Sequence, residues 1–433
     1  MLSTNFESID KDRINDLFDF VLNNDFSDFY KKKYMGQNFQ NYSDYDNFCK
    51  LPFLVKNDII TTKIKDRTFV SEDQIKMYSS SSGTSKNPIP SIIPHDRFGY
   101  DGSPDFPGLD KNLTKNILFL ISGTSPLLMG QLSKLDGIVP IIGNIGNLKY
   151  TAAISKEIGI NGIISTSTIL YNFLKELGDD FKKEDICWIS LGGEYSSNLI
   201  YKAFKKEFPN AYIEFKYGNS EFHGKIGYRC DHLAKSSKPN VFHVNNDVLL
   251  EIIDEEFNTV SEGEIGDIVI TSIAKRAFPL LRYKVGDVGS IRYSKCECGN
   301  DYLLEFSGRK NSDFFKIHGI TFKVEAIYDS IEEFMNLFEK RCELHIFEKE
   351  LNSKISYFCK MNLKILDGSE DLKNDQKWIE LIEKTISRNL IVSANKTYHD
   401  LVEAGLLEDL KIDFVDKWGS RDKSINIISH IDE

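Results

Sequence analysis

The strongest constraint on the fold is a regular alternation, between residues 116 and 222, of short apolar runs and amphipathic segments. The apolar runs are NILFLIS, GIVPIIG, GIISTS, ICWISLGGE and AYIEFKYGNSEF, and the longest amphipathic segments between them are ILYNFLKELGDDF and SSNLIYKAFKKEFP. Such short runs are typical of buried strands, and amphipathic segments of roughly 10–15 residues are typical of helices that pack on a parallel sheet. The alternation therefore predicts an α/β fold whose first sheet is largely parallel.

Two polar segments end predicted strands of this sheet. They are GGE at 192–194 and YGNSE at 217–221. Ligands of open parallel sheets bind beyond the carboxyl ends of the strands, where the loops lie. We therefore expect a binding site at these two segments.

The chain changes character twice after this alternation. From Val241 onward, the segments VFHVNNDVLLEIID, GDIVITSI and DVGSIRY are typical of hairpin strands and predict a β-rich subdomain. The hexapeptide GRKNSD begins at Gly308, has no apolar anchor and precedes a further helix-and-strand pattern, as is typical of a domain boundary. We predict mixed sheets in two domains, a large N-terminal domain over 1–308 and a small α+β domain over 309–433.

A serine-rich stretch stands out before the alternation. Residues 79–88 have the sequence SSSSGTSKNP, which is poor for a helix or strand interior. Hydroxyl groups and exposed amides beside a flexible Gly83 and the cation of Lys86 suit an anionic ligand such as phosphate. A solvated linker is the alternative interpretation.

Charge and composition exclude several classes of protein. The chain has 65 Asp and Glu against 54 Lys and Arg, a formal net charge of −11, which argues against a broad nucleic-acid-binding surface. There is no run of about 18 apolar residues, so we expect no membrane span. Seven widely spread cysteines and a polar N-terminus favour a reducing, cytoplasmic compartment.

A second constellation has the chemistry of a metal site. Cys296 and Cys298 lie in a Cys-Glu-Cys-Gly turn, and Cys230 and His232 lie upstream. Four soft or borderline ligands without an open position predict a structural Zn²⁺ site. His243 is an alternative fourth ligand, and free thiols on a turn are the alternative to a metal.

Five motifs then follow one another in an order that one enzyme superfamily shares. They are SSSSGTSKNP, GGE, YGNSE, RYKVGD at 282–287 and GRKNSDFFKIHG at 308–319. With FSDFYKKKY, LPFLVKNDI and TSIAKRAFPLLRYKVGD, the chain from about 26 to 423 resembles the adenylate-forming superfamily, in particular its phenylacetate–coenzyme A ligase-like branch. The acyl-protein synthetase branch of bacterial luminescence has a similar serine-rich loop and is the alternative.

The resemblance implies an ATP-dependent acid–thiol ligase. Such an enzyme forms an acyl-AMP with the help of Mg²⁺ and transfers the acyl group to coenzyme A; a carrier protein or a protein cysteine is the alternative acceptor. An aryl or arylacetic acid fits the branch, but FLISGTSPLLMGQ lacks the usual glycine-rich aromatic sequence, so the acid stays open. A homodimer is compatible with this interpretation, and a non-catalytic nucleotide-binding protein is a further alternative.

The resemblance also implies roles for residues of the first two motifs and of YGNSE. The residues implied to cradle the β- and γ-phosphates are Ser81, Ser82, Gly83, Thr84, Ser85 and Lys86. This chain has Lys86 and then Asn87 where the family has glycine and then lysine, so the cation is displaced by one residue. The remaining implied contacts are Gly192, Gly193 and Glu194 beside adenine, Tyr217 stacked on adenine next to Gly218, Ser220 beside the phosphates and Glu221 on Mg²⁺.

The last implied residues lie toward the C-terminus. Asp287 would accept the ribose hydroxyls, and Arg309 would contact ribose or phosphate, although GRKNSD is one residue longer than the branch pattern. Ser312 and Asp313 fall at the expected hinge of a mobile C-terminal lid. Lys423 is the first choice for the catalytic lysine, and Lys417 is the second.

Overall fold

The computed structural model gives the fold of most of the chain. It describes residues 3–35, 42–80, 89–94, 107–121, 137–222, 224–236, 238–274, 277–309, 314–317, 320–334, 336–351, 354–366, 370–392, 396–416, 418 and 425–431. Compact packing divides the chain into one unit of residues 1–195 and 204–310 and another of residues 196–203 and 311–433. The domain boundary that the sequence indicates, after residue 308, stays a prediction.

The first unit contains the predicted parallel sheet, which is confirmed. The strands up to this point of the chain are β1 Ile75–Ser80, β2 Pro90–Pro94, β3 Asn116–Leu120, β4 Val139–Ile142, β5 Gly162–Ser165, β6 Trp188–Gly192 and β7 Tyr212–Lys216. Strands β1 and β2 form an antiparallel hairpin. Strands β3 to β7 lie in the order β4-β3-β5-β6-β7, and all neighbours are parallel. The carboxyl ends of β6 and β7 therefore lie at one edge of the sheet.

Helices connect these strands and precede them. The helices up to residue 234 are α1 Lys11–Leu22, α2 Phe29–Lys33, α3 Tyr45–Phe48, α4 Lys56–Thr61, α5 Leu148–Ile158, α6 Ser167–Leu177, α7 Asn198–Glu207 and α8 Asp231–Ala234. All belong to the first unit except α7, whose first residues are assigned to the second. Asn147 and Thr166 accept hydrogen bonds from the first-turn amides of α5 and α6, so side-chain caps determine where both helices begin. Gly159 ends α5 in a left-handed conformation, with φ of 71°.

An antiparallel sheet forms the predicted β-rich part of the same unit. Its strands are β8 Gly227–Tyr228, β9 Val241–Val244, β10 Val248–Ile253, β11 Gly266–Ser272, β12 Tyr283–Tyr293 and β13 Tyr302–Arg309. They lie in the order β10-β11-β12-β13-β9-β8. The register of β12 on β13 places Asp287 opposite Arg309, so the residue that the resemblance assigns to ribose lies opposite the one that it assigns to ribose or phosphate.

A buried arginine ties the N-terminal segment to the start of β12. Arg282 is 2% exposed, donates two hydrogen bonds of 2.9 and 3.1 Å to the Glu251 carboxylate, and also donates to the carbonyls of Cys49 and Leu51. Burial raises the pKa of Glu251, and the Arg282 guanidinium opposes that rise. The Arg282 backbone has a φ of 45°, which is strained for a residue with a side chain. The RYKVGD motif is thus anchored at its first residue.

The second unit has α+β organisation. Its elements are β14 Phe314–Ile317, β15 Ile320–Lys323, α9 Val324–Ile331, β16 Phe338–Leu351, β17 Lys354–Ile365, α10 Gln376–Asn389, β18 Ile391–Val392, β19 Lys396–Thr397, α11 Tyr398–Glu403, β20 Lys411–Phe414 and β21 Ile425–His430. The main sheet has the order β20-β17-β16-β21, with an antiparallel central pair and parallel outer strands. Alternate residues of β16, namely Cys342, Leu344 and Ile346, are fully buried, as expected for a sheet with one covered face.

A helix that crosses a membrane must be both long and apolar. Among the described residues, no helix satisfies both conditions.

Candidate nucleotide site and cysteine cluster

The YGNSE motif lies on a loop that leaves β7 and leads into β8. Backbone hydrogen bonds close its base, from the Tyr217 amide to the Gly227 carbonyl and from the Gly227 amide to the Tyr217 carbonyl, each 3.0 Å long. A side chain at Gly218 would collide with the carbonyl oxygen of Gly224, so the loop requires glycine at this position. We call the described residues 218–222 and 224–226 the YGNSE loop.

Local contacts hold the middle of the YGNSE loop. Phe222 is buried, at 1% exposure, and its amide donates to Asn219 Oδ1 at 2.7 Å. The neighbouring Glu221 is half-buried and accepts a hydrogen bond from Ser220 Oγ at 3.3 Å. The buried Phe222 thus anchors the loop, while the Glu221 side chain stays partly exposed.

Tyr217 connects this loop to the RYKVGD motif. Its phenol donates to Asp287 Oδ2 at 2.6 Å, and both residues are buried. Its ring stacks on Phe306, with centroids 4.9 Å apart and an interplanar angle of 27°. The structure therefore brings together two predicted nucleotide contacts that lie 70 residues apart in the sequence. Phe306 is a residue of this site that the sequence did not indicate, because one aromatic residue in a strand is usually part of the core.

The GGE motif ends β6 beside the end of β7. Gly192 is in register with Lys216, the residue before Tyr217, and Gly193 has a φ of 86°, which favours glycine. Glu194 turns back toward α6, where its Oε1 accepts a hydrogen bond from the Thr168 amide. A carboxylate at the N-terminus of a helix is stabilising, so Glu194 has a structural role that the sequence did not predict.

The serine-rich stretch begins in a paired strand. Its first two residues, Ser79 and Ser80, end β1 and are in register with Ser91 and Pro90 of β2. Its remaining residues, 81–88, lie outside the described residues.

Several predicted residues cannot be placed. Outside the described residues lie Ser81, Ser82, Gly83, Thr84, Ser85, Lys86, Ser312, Asp313, Lys417 and Lys423. For Arg309, only the backbone is placed, at the end of β13.

Three thiols and one imidazole form a compact cluster in the antiparallel sheet. Cys230 Sγ lies 3.3 Å from His243 Nε2 and 3.7 Å from Cys296 Sγ, and Cys298 Sγ lies 3.4 Å from the same His243 nitrogen. All four potential ligand atoms lie within 4.8 Å of one another. Zn–S bonds of about 2.3 Å give tetrahedron edges of roughly 3.5–3.8 Å, so the donor set and its spacing fit Zn²⁺.

His243, and not His232, is the histidine of this cluster. The sequence favours His232 because it lies two residues after Cys230, and that choice is corrected by the geometry. Nε2 of His232 instead lies 3.1 Å from Glu297 Oε2, where both side chains are largely exposed. His243 belongs to β9 and is fully buried, and the pairing of β9 with β13 decides where it points.

The cluster's turn is shaped locally. The Cys296 amide donates to Asp301 Oδ1 at 3.0 Å, and Gly299 has a φ of 85°. Burial lowers the pKa of His243, and burial also raises the pKa of Cys298 to about 12. These shifts favour the neutral imidazole and, without a cation, the neutral thiol.

Comparison with solved structures identifies the class of fold. The chain superposes on 2-hydroxyisobutyryl-CoA ligase in complex with 2-HIB-AMP and CoA in the thioesterification state, with a TM-score of 0.62, 13% identity, and coverage of 97% of this chain and 89% of that one. The postadenylation state of that ligase gives a TM-score of 0.58 at 13% identity, with coverage of 97% and 88%. The protein thus has the fold of an adenylate-forming enzyme, and the predicted fold class is confirmed.

Comparison with curated sequences points to one branch. The chain is 27% identical over 238 residues to phenylacetate-coenzyme A ligase of Thermus thermophilus, and the match covers 51% of this chain and 52% of that protein. The aligned region thus spans about half the length of the curated relative. No family model matches the chain. The resemblance to phenylacetate–coenzyme A ligases that the motifs indicate is confirmed by this relative.

Proposed function

We propose that the protein is an ATP-dependent acid–thiol ligase that activates a carboxylic acid as an acyl-AMP and passes the acyl group to coenzyme A. The observation that carries the proposal is the contact of Tyr217 with Asp287, which joins two motifs beside the carboxyl end of the parallel sheet. The relative and the superposed structures are named as coenzyme A ligases, which supports the same activity.

The nucleoside would lie against Tyr217 and Asp287. A carboxylate can accept hydrogen bonds from both hydroxyl groups of a ribose. Since Oδ2 of Asp287 already accepts from Tyr217, the ribose would share this carboxylate with the phenol. The Tyr217 ring stacks on Phe306 and lies 6.0 Å from the Phe242 ring, so adenine would contact an aromatic group at this end of the sheet.

The main demand of the reaction is neutralisation of charge, because a carboxylate must attack a polyphosphate and both are anions. Glu221 supplies a hard oxygen ligand for Mg²⁺, which neutralises phosphate oxygens when bound. Residues 81–86 would contact the β- and γ-phosphates, and Arg309 the ribose or a phosphate. Lys423 would stabilise the charge that develops at the α-phosphate.

The sequence relative guides our choice of acid and acceptor. We propose an aryl or arylacetic acid, because the sequence relative is a phenylacetate ligase, and coenzyme A as acceptor. A carrier-protein phosphopantetheine presents the same thiol chemistry and is distinguished by experiment.

We further propose that the cysteine cluster holds a structural Zn²⁺ ion through Cys230, His243, Cys296 and Cys298. Four protein ligands leave no open position for catalysis, and the sheet strands that carry them would be cross-linked by the ion. Thiols in this arrangement persist in a reducing compartment, so we place the protein in the cytoplasm.

An exchange assay tests the proposed activity. The protein is incubated with MgATP, labelled pyrophosphate and a panel of aryl, arylacetic and short aliphatic acids. Acid-dependent exchange of label into ATP is expected for at least one acid, followed by thioester formation when coenzyme A is added. If pyrophosphate exchanges but coenzyme A gives no thioester, a carrier protein is supplied in its place. Thioester formation with the carrier protein would then identify it as the acceptor. Binding of ATP without exchange for any acid would show a non-catalytic nucleotide-binding protein.

A further inference from the structure

A buried ion pair lies directly beneath the YGNSE loop. Glu214 is on β7, three residues before Tyr217, and Lys225 is near the end of the loop. Lys225 Nζ lies 3.5 Å from Glu214 Oε1, and the two side chains are 10% and 0% exposed. Ser190 on β6, opposite Glu214 in the sheet, donates to the other carboxylate oxygen at 2.9 Å.

The pair spans the neck of the loop. Gly218 lies so close to the Gly224 carbonyl that a side chain at Gly218 has no space. The main chain of Lys225 is fixed separately, because its carbonyl accepts a hydrogen bond from Asn245 Nδ2 at 2.8 Å. The Lys225 side chain is therefore not needed to attach the end of the loop, and its contact with Glu214 draws the loop toward the strand that precedes Tyr217.

Burial makes the pair difficult to separate. A charge that is removed from water needs a partner of opposite charge, so separating Glu214 from Lys225 inside the protein would leave two uncompensated buried charges. A surface ion pair has no such restriction, since water replaces the lost partner. Ser220 and Glu221 lie between the two attached ends, so the pair limits how far they can move from β7.

We propose that Glu214 and Lys225 are positioning residues for the YGNSE loop, which hold Glu221 where it meets the magnesium-bound phosphates. This inference rests on the proposed function for the role of Glu221. It assigns to the two buried residues an effect on MgATP affinity that goes beyond their effect on stability.

The test uses four variants of the full-length chain: Lys225→Met, Glu214→Gln, the double variant Glu214→Gln/Lys225→Met, and Lys225→Arg. Lys183→Met is the matched control, because it removes an ion pair with Glu207 from the same unit at partly exposed positions. Thermal unfolding, KM for MgATP and kcat are measured for each protein.

The positioning role predicts a separation of affinity from stability. Lys225→Met should unfold at a lower temperature and raise KM for MgATP about tenfold, with a smaller change in kcat. The double variant contains no uncompensated charge, so its unfolding temperature should recover while its KM stays raised. Lys225→Arg should retain a KM near that of the wild type, and Lys183→Met should not change it.

Two results would overturn the inference. If KM in the double variant recovers together with the unfolding temperature, the pair is structural only. If Lys225→Met folds and binds MgATP as the wild type does, the pair does not position the loop. Should Lys225→Met fail to fold, KM for MgATP and the unfolding temperature of Glu214→Gln are compared with those of the double variant. A wild-type KM in both variants would then overturn the inference.

Hydrogen exchange separates this inference from the proposed function. If the wild type neither binds MgATP nor exchanges pyrophosphate, the proposed function fails. The amides of Phe222 and Ile226, which are hydrogen-bonded in the loop, should still exchange at least tenfold faster in the double variant than in the Lys183→Met control. Unchanged exchange at both amides would contradict the positioning role by itself.

Discussion

The YGNSE loop and the cysteine cluster are neighbours along the chain, but different interactions hold each of them in shape. Groups that attract one another close the loop, namely the backbone bonds between Tyr217 and Gly227 and the ion pair of Glu214 with Lys225. The cluster gathers three thiols and an imidazole, which attract one another little until a cation replaces the thiol protons.

This difference separates a preformed site from a conditional one. Protein groups alone hold the base of the loop, so we expect little binding energy to be spent on ordering it. As the proposed metal site, the cluster would stabilise the fold only when it is occupied, by an amount that depends on metal concentration. Substitutions in the two regions should therefore change different measured quantities.

The largest expected effect is on chemistry at the nucleotide side. Lys423→Ala should slow adenylation roughly 10²–10³-fold, the usual scale for loss of one group that stabilises transition-state charge. Thioester formation from supplied acyl-AMP should change much less, and metal content should not change. The two half-reactions are measured separately, with Lys417→Ala as the control. Equal losses in both half-reactions would show that the wrong lysine or the wrong role has been assigned.

Removal of the metal should lower the stability of the fold more than it lowers activity. Chelation, or Cys296→Ser, should lower the free energy of unfolding by about 2–4 kcal/mol, the contribution of a ligand present at roughly 100 to 1,000 times its Kd. Urea unfolding and elemental analysis measure this, and Cys187→Ser, a half-buried thiol outside the cluster, is the control. Hydrogen exchange should accelerate at 296–299 more than in the YGNSE loop. Purified protein that contains no zinc, and whose unfolding changes neither with chelator nor with added Zn²⁺, would contradict the metal site.

The contact between the two nucleotide motifs should have an intermediate effect. Tyr217→Phe removes a buried hydrogen bond to the Asp287 carboxylate, of a kind that contributes about 1.5–3 kcal/mol. We expect KM for MgATP to rise about tenfold, because the carboxylate loses the donor that orients it. Tyr293→Phe is a matched control, since its hydroxyl donates to Asp301 at 3.0 Å in an exposed setting. An equal rise in KM for both variants would show that the hydrogen bond from Tyr217 to Asp287 has no special role in binding MgATP.

The smallest expected effect distinguishes the two histidines. His232→Ala should leave zinc content and unfolding unchanged, because its partner Glu297 is exposed and surface ion pairs contribute little. His243→Ala should remove the metal and reproduce the effect of chelation. Metal content of the two purified variants decides the assignment, and loss of zinc in His232→Ala alone would reverse it.

The parallel sheet could be predicted from sequence because its signal is local. Strands that are buried on both faces are apolar along their whole length, and the polar segments at their ends mark where ligands bind. The order of the motifs likewise indicated the fold class and the phenylacetate ligase branch, which the structural and sequence comparisons support. Each of these signals depends on residues close together in the chain.

Contacts across the chain were decided only by tertiary structure. His243 replaces His232 because β9 pairs with β13 and carries it to the thiols, whereas proximity in sequence favoured the wrong residue. The bonding of Tyr217 to Asp287 and of Glu214 to Lys225 depends on how strand ends and loop return meet in space. Residue type and spacing determine which chemical groups the chain offers. The register and packing of the sheets determine which of those groups lie close together, because strands far apart in sequence set the distances between side chains.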